Sequence, residues 1–284
     1  MGFPRAWRAA NPGHRYERLT DGNAEAWVRE AWGDFRFSSS SLTDESSGGE
    51  EGGGVADLFA SLTDPILRAD LLRYLVMARE GGVWADIDVF PHRPIASWIP
   101  AGFRDRENAS SVTVGGGGSR SATVNLVVGI ENDHHGQPIW PGLPYSVQLA
   151  QYVMLAKPGH PALGALVEQV CENLRLLLKS KEEKTKKKGQ KAKITFEEVM
   201  ATTGPFAFTR VLMEYFTEVT GGGTEYTGAE LTRLRHPLLI GDVLVLPKDS
   251  FGWLPHEHTL DKGHPEILVE HLFMASWRAD HPGG

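Results

Sequence analysis

The segment from Asp64 to Pro94, DPILRADLLRYLVMAREGGVWADIDVFPHRP, constrains this chain more than any other. Asp64 has the side chain of an N-cap, and Pro65 suits the first helical position, where its missing N–H would be unpaired anyway. Leu67, Leu71, Leu72, Leu75, Val76 and Ala78 recur at helical spacing and predict one buried face. Gly81-Gly82 predicts the helix end, since glycine accepts the left-handed cap conformation. Val83, Ala85, Ile87 and Val89 then alternate with Trp84, Asp86, Asp88 and Phe90, which predicts a strand with Asp86 and Asp88 on one face. Two carboxylates so placed repel each other unless a cation lies between them. An all-oxygen donor set favours Mg²⁺ or Mn²⁺ over zinc. The preceding helix carries Arg68, Asp70 and Arg73 among apolar residues. Asp70 and Arg73, three apart, share a face. A structural ion pair accounts for them, and so does a pair that grips a sugar beside the two acids.

Elsewhere the pattern is one of alternating elements. Helices are predicted over 24–31, 145–156, 161–178, 196–200 onward and 205–220, and strands over 124–130, 243–246 and 267–274. Glu131 and Asp133 follow the strand at 124–130. Acids at strand ends, interleaved with helices, fit an open α/β sheet whose ligand lies at the strand ends. Residues 38–54 (SSSSLTDESSGGEEGGG) are polar, acidic and glycine-rich and predict a flexible insertion. The basic run at 179–193 reads as a second, a solvated loop or frayed helix end. Gly115–Gly118 reads as a flexible connection.

At 284 residues the chain can bury a substantial core, and length alone allows one domain or two. A formal charge of -7 argues against a general nucleic-acid binder. The single cysteine, Cys171, excludes an internal disulfide, and its apolar setting (LGALVEQVCENLRLLL) predicts a buried thiol. No apolar run reaches about 18 residues, so no membrane segment is expected in this chain. Asn108-Ala109-Ser110 is a glycosylation sequon. His134, His135, His256 and His258 lie in polar, proline-containing stretches and read as surface or packing residues.

The run LRADLLRYLVMAREGGVWADIDVFPHRPIASW resembles the core motif of the D-x-D sugar transferases of glycosyltransferase family 32. NPGHRY, VVGIEND, AKPGHPAL, TTGPFAFT, GDVLVLP and EHLFMASW, in that order, resemble its fungal branch of initiation-specific α-1,6-mannosyltransferases, over about residues 5–280. The resemblance implies a GT-A fold: one α/β domain with a Rossmann-like open mixed sheet flanked by helices. It implies a GDP-mannose donor, a high-mannose N-glycan acceptor, retention of configuration, and Mn²⁺, with Mg²⁺ as the alternative. By the same resemblance Asp86 and Asp88 would hold the metal with His271 as third ligand. Arg68, Asp70, Arg73 and Trp84 would hold the donor, Ser276 and Trp277 would cover the leaving phosphate, and Glu131 would face the acceptor. Family members carry an N-terminal anchor and an early strand before the tryptophan that aligns with Trp7. Both are expected to be absent here, where the chain opens MGFPRAW, so the expected setting is the Golgi lumen as an anchor-less catalytic domain. The competing readings are a sphingolipid glycosyltransferase, a glycoside hydrolase using two acids, and an inactive nucleotide- or glycan-binding homologue.

Overall fold

The structure is a computed structural model that describes residues 3–33, 35–37, 53–104, 123–138, 145–223, 225–254, 260–274 and 277–283. Residues 38–52, the sequon at 108–110, the glycines at 115–118, His256, His258 and Ser276 lie outside the described residues. In chain order the elements are α1 (Phe3–Ala10), α2 (Ala24–Trp32), α3 (Val55–Ser61), α4 (Pro65–Arg79), β1 (Gly82–Ala85) and β2 (Val89–Pro91). There follow β3 (Leu126–Asp133), β4 (Val147–Leu149), β5 (Val153–Ala156), α5 (Pro161–Lys188), α6 (Phe196–Thr202) and α7 (Pro205–Val219). The last are β6 (Leu238–Ile240), β7 (Val243–Leu246), α8 (Lys248–Phe251) and β8 (Val269–His271).

The main sheet has the order β1-β5-β3-β7-β6, with β4 also paired to β3. Among the described strands of this sheet only β3 and β7 run parallel; the other pairings are antiparallel. A separate two-stranded sheet joins β2 to β8, with Val89 opposite His271. Side chains of β3 alternate between two cores, as a strand's period of two requires. Leu126, Val128 and Ile130 face the layer of α4, α5 and α7, while Val127 faces Trp7, Trp98, Tyr152 and Phe251. Between them Gly129 lets the sheet approach α8 closely: an added Cβ would lie 2.6 Å from the Phe251 ring. This open mixed sheet, flanked by helices and carrying a D-x-D at the end of β1, is of GT-A type.

Helix α4 forms as its sequence predicts. Asp64 accepts a hydrogen bond from the Ile66 N–H, and Leu67, Leu71, Leu72, Leu75 and Ala78 are buried. Gly81 and Gly82 both take positive φ (64° and 86°), which turns the chain straight into β1. Cys171 is buried in α5. Four elements differ from the sequence reading. Residues 145–156 are not a helix but β4 and β5; every residue of β4 is buried, so no polar-apolar alternation betrays it. The basic run at 179–193 is not mainly a loop, since α5 continues to Lys188. Its Glu and Lys residues are good helix formers, Glu182 pairs with Lys186 one turn on (2.7 Å), and Lys181 reaches Glu198 of α6 (2.5 Å). The strand expected over 267–274 is only three residues long. The strand predicted through Asp88 stops at Ala85, for a reason that bears on the site.

Candidate active site

After Ala85 the chain leaves the main sheet and joins the small one. The Asp86 N–H donates to the Tyr152 carbonyl (2.9 Å), and the Val89 N–H donates back to the Asp86 carbonyl (3.1 Å). Asp86-Ile87-Asp88 is therefore a turn between β1 and β2, and the expected single strand face does not exist. Ile87, between the two acids, is 71% exposed in this turn. Both acids nonetheless line one cleft of about 1390 Å³, together with Trp84, Glu131, His271 and Trp277.

The cation beside Asp86 is a guanidinium. Arg73 donates from Nε (3.2 Å) and Nη2 (3.0 Å) to Oδ1 and from Nη2 (2.8 Å) to Oδ2. Trp84 Nε1 adds a bond to Oδ1 (2.6 Å). Arg73 is in turn held by Asp70 (Nη1 to Oδ1, 2.7 Å). The Asp70 carboxylate also accepts from Thr203 Oγ1 (2.8 Å) and Gln151 Nε2 (3.3 Å), and only 1% of the residue is exposed. Burial pushes the Asp70 carboxyl up to about 6 against the pull of Arg73. Burial alone would lower Arg73, but the charges of Asp86 and Asp70 outweigh it and keep it cationic. Asp70 and Arg73 thus form a relay behind Asp86. Arg68 lines the same cleft and donates to the Phe59 and Leu62 carbonyls (both 3.2 Å) and covers the Phe59 ring, closing the end of α3.

Asp88 is built into the other side of the turn. His271 Nε2 lies 3.3 Å from Oδ1, and the Met274 N–H donates to Oδ2 (3.0 Å). Burial would raise this carboxyl, but the His271 hydrogen bond and charge and the Met274 amide hold it below the usual carboxylate range. The Leu272 N–H donates to the Asp88 carbonyl (3.1 Å). Between them Phe273 adopts a left-handed backbone (φ 46°), a conformation that costs about 1–2 kcal/mol outside glycine. Among the described residues His271 Nδ1 is buried without a hydrogen-bond partner. Glu131, near the end of β3, accepts from Gln148 Nε2 (2.8 Å), and burial raises its carboxyl against that bond. Trp277 stacks on Phe196 (5.4 Å, 6°).

The donor set fits a hard divalent cation. Among the described residues Asp86 Oδ2 accepts from Arg73 alone, and the Asp88 carboxylate accepts from His271, the Met274 amide and its own N–H, so lone pairs remain on both acids. Asp86, Asp88 and His271 do not close into a three-ligand group, and among the described residues no cluster of three such side chains does so. Such an ion would need oxygens from a bound ligand. His134 is exposed, and His135 pairs with Asp133 (3.6 Å) at the surface. Thr203, Gln151, Gln148 and Tyr152 were not marked as site residues in the sequence. The TTGP motif was the one signal that could have drawn attention to Thr203.

Fold and cleft together define a D-x-D α/β protein of GT-A type. Residues 1–103 match the model of the "glycosyltransferase sugar-binding region containing DXD motif". Over 99% of its length the chain is 31% identical to the initiation-specific alpha-1,6-mannosyltransferase of Schizosaccharomyces pombe, spanning 60% of that protein. It is 25% identical to the Candida albicans protein of the same name, over 99% of this chain and 67% of that one. A solved structure, PaToxG glycosyltransferase, overlaps 58% of this chain and 40% of its own at 16% identity and a TM-score of 0.29. Among the described residues no helix is long and apolar enough to cross a membrane.

Proposed function

We propose that this chain is one catalytic domain that transfers mannose from GDP-mannose to a high-mannose N-glycan through an α-1,6 linkage, with retention of configuration, in the Golgi lumen. The observation that carries the reading is the similarity to α-1,6-mannosyltransferases along 99% of this chain, joined to two acids that line one cleft. Asp88, with a lone pair of Asp86, would hold Mn²⁺ or Mg²⁺ against the donor diphosphate. That ion supplies neutralisation of charge on the departing phosphate. The protein's own part is orientation. Asp70 fixes Arg73, Arg73 fixes Asp86, and the edge of Asp86 left open to the cleft meets the sugar hydroxyls. Trp84 offers a flat apolar face to the base or sugar. The acceptor 6-hydroxyl oxygen bonds to the anomeric carbon as the carbon–oxygen bond to the diphosphate breaks, on the same face. Its proton passes to the departing phosphate oxygen. Glu131 accepts a hydrogen bond from the acceptor, and Trp277, with Ser276, closes over the phosphate.

Calorimetry with GDP tests the donor site. Affinity is expected to weaken at least about tenfold in chelator, a loss of about 1.4 kcal/mol. Equal affinity with and without Mn²⁺ would remove the metal from the account.

A further inference from the structure

Asp88 is oriented by groups that lie far from it in sequence, and these groups converge on one aromatic residue. The His271 imidazole that faces Asp88 packs against two rings that also touch each other. Tyr152 stacks on its face (centroids 3.9 Å, 30°), and Phe273 lies tilted beside it (4.0 Å, 48°) and edge-on to Tyr152 (5.9 Å, 78°). Among the described residues His271 Nδ1 has no polar partner, so the single contact of Nε2 with Asp88 leaves the ring's angle unfixed by hydrogen bonding. The flat faces do that. Tyr152 is itself anchored, its hydroxyl donating to the Phe251 carbonyl (2.9 Å). Its carbonyl accepts the Asp86 N–H (2.9 Å). One residue in the short link between β4 and β5 therefore holds the backbone of the first acid and the partner of the second.

We propose that Tyr152 is a positioning residue for the D-x-D turn, setting Asp88 through the stacked His271 ring and Asp86 through its own carbonyl. The proposal rests on the reading of this turn as the donor site. Tyr152 acts through other residues and forms no bond to the reacting atoms. Its ring face, more than its hydroxyl, is the part that matters to Asp88. A leucine fills part of the space but has no flat face. A phenylalanine keeps the face and loses the bond to Phe251.

Tyr152→Phe and Tyr152→Leu separate the two roles. Two readings are taken on each purified full chain: amide hydrogen exchange, resolved at Leu272 and Met274, and the Mn²⁺ concentration that half-saturates GDP binding. Tyr152→Phe is expected to lower the melting temperature, because a buried carbonyl loses its donor. Its Met274 exchange and Mn²⁺ requirement should stay within about twofold of the original. Tyr152→Leu is expected to speed exchange at Leu272 and Met274 about tenfold and raise the Mn²⁺ requirement by about as much, with β3 amides unchanged. Phe273→Gly, which keeps the left-handed backbone and removes the second ring, should shift the same two amides. Original exchange at Met274 in Tyr152→Leu overturns the proposal. So do equal shifts in the Phe and Leu variants that track global stability. If the original chain binds no GDP with Mn²⁺, the donor reading fails, and the exchange comparison alone upholds or overturns the positioning role.

Discussion

At the scale of single residues, the D-x-D acids have unlike surroundings. Asp86 is saturated on one oxygen by Arg73 and Trp84, whereas Asp88 meets a histidine, the Met274 amide and its own N–H. Asp88→Asn is therefore expected to abolish Mn²⁺-dependent GDP binding with little change in melting temperature, checked by calorimetry and thermal unfolding. Asp70→Asn should behave differently. Its carboxylate accepts three bonds while buried, so the substitution disturbs a packed network and is expected to cost about 1–3 kcal/mol in denaturant unfolding. Wild-type stability with lost activity would instead return Asp70 to direct contact with the sugar. Spacing in the sequence was enough to pick out Asp70, Arg73, Asp86 and Asp88 as a group. It could not assign Arg73 as the cation beside Asp86, because the turn that brings them together is set by Tyr152, on another strand link. The same distance hid Thr203 and Gln151, whose side chains meet Asp70 only in the folded chain.

At the scale of elements, local signals decided what was readable. Helix α4 announces itself by Asp64-Pro65 at its start, apolar spacing within and Gly81-Gly82 at its end, and it forms as those signals require. Strands β4 and β5 give no such notice, because burial of nearly every residue erases the alternation that marks a half-exposed strand. Packing constraints at this scale can be checked. Gly129→Ala would drive a Cβ into Phe251 at 2.6 Å and is expected to destabilise by about 1–3 kcal/mol in urea unfolding. The C-terminal turn offers a pH test. His281 Nε2 lies 2.9 Å from Asp64 Oδ2 and Nδ1 lies 2.8 Å from the Trp277 carbonyl. Both partners only accept, so both nitrogens must carry protons. Burial would lower this imidazole, but the Trp277 carbonyl and Asp64 raise it above its ordinary value. A raised value means the contribution is fully present below about pH 6.5 and is lost as pH rises through the folded-state value. The melting-temperature advantage over His281→Ala should therefore shrink as pH rises through that window. An advantage that grows with pH would contradict the charged clasp.

At the scale of the whole molecule, the main sheet ends where its strand β1 hands the chain to a second, two-stranded sheet, and the cleft opens at that junction. The long-range partners of the D-x-D turn come from α4, from β8 and the residues after it, and from the β4–β5 link, so the site exists only when all three are assembled. Partial unfolding of the β2–β8 pair is expected to cost GDP binding before the helical layer melts, with the nucleotide signal lost at lower urea than far-ultraviolet dichroism. Coincident transitions would show the site to be less dependent on that pair than its contacts imply. The measurement that tests the central claim most directly is transfer itself. The purified chain is incubated with GDP-mannose, Mn²⁺ and a high-mannose N-glycan, and the glycan is read by mass spectrometry and by digestion with a linkage-specific mannosidase. The account predicts a gain of one hexose in α-1,6 linkage that disappears in chelator and in Asp88→Asn. An unchanged glycan from a folded, GDP-binding chain, or a glycan that loses hexose without any nucleotide sugar, would contradict it.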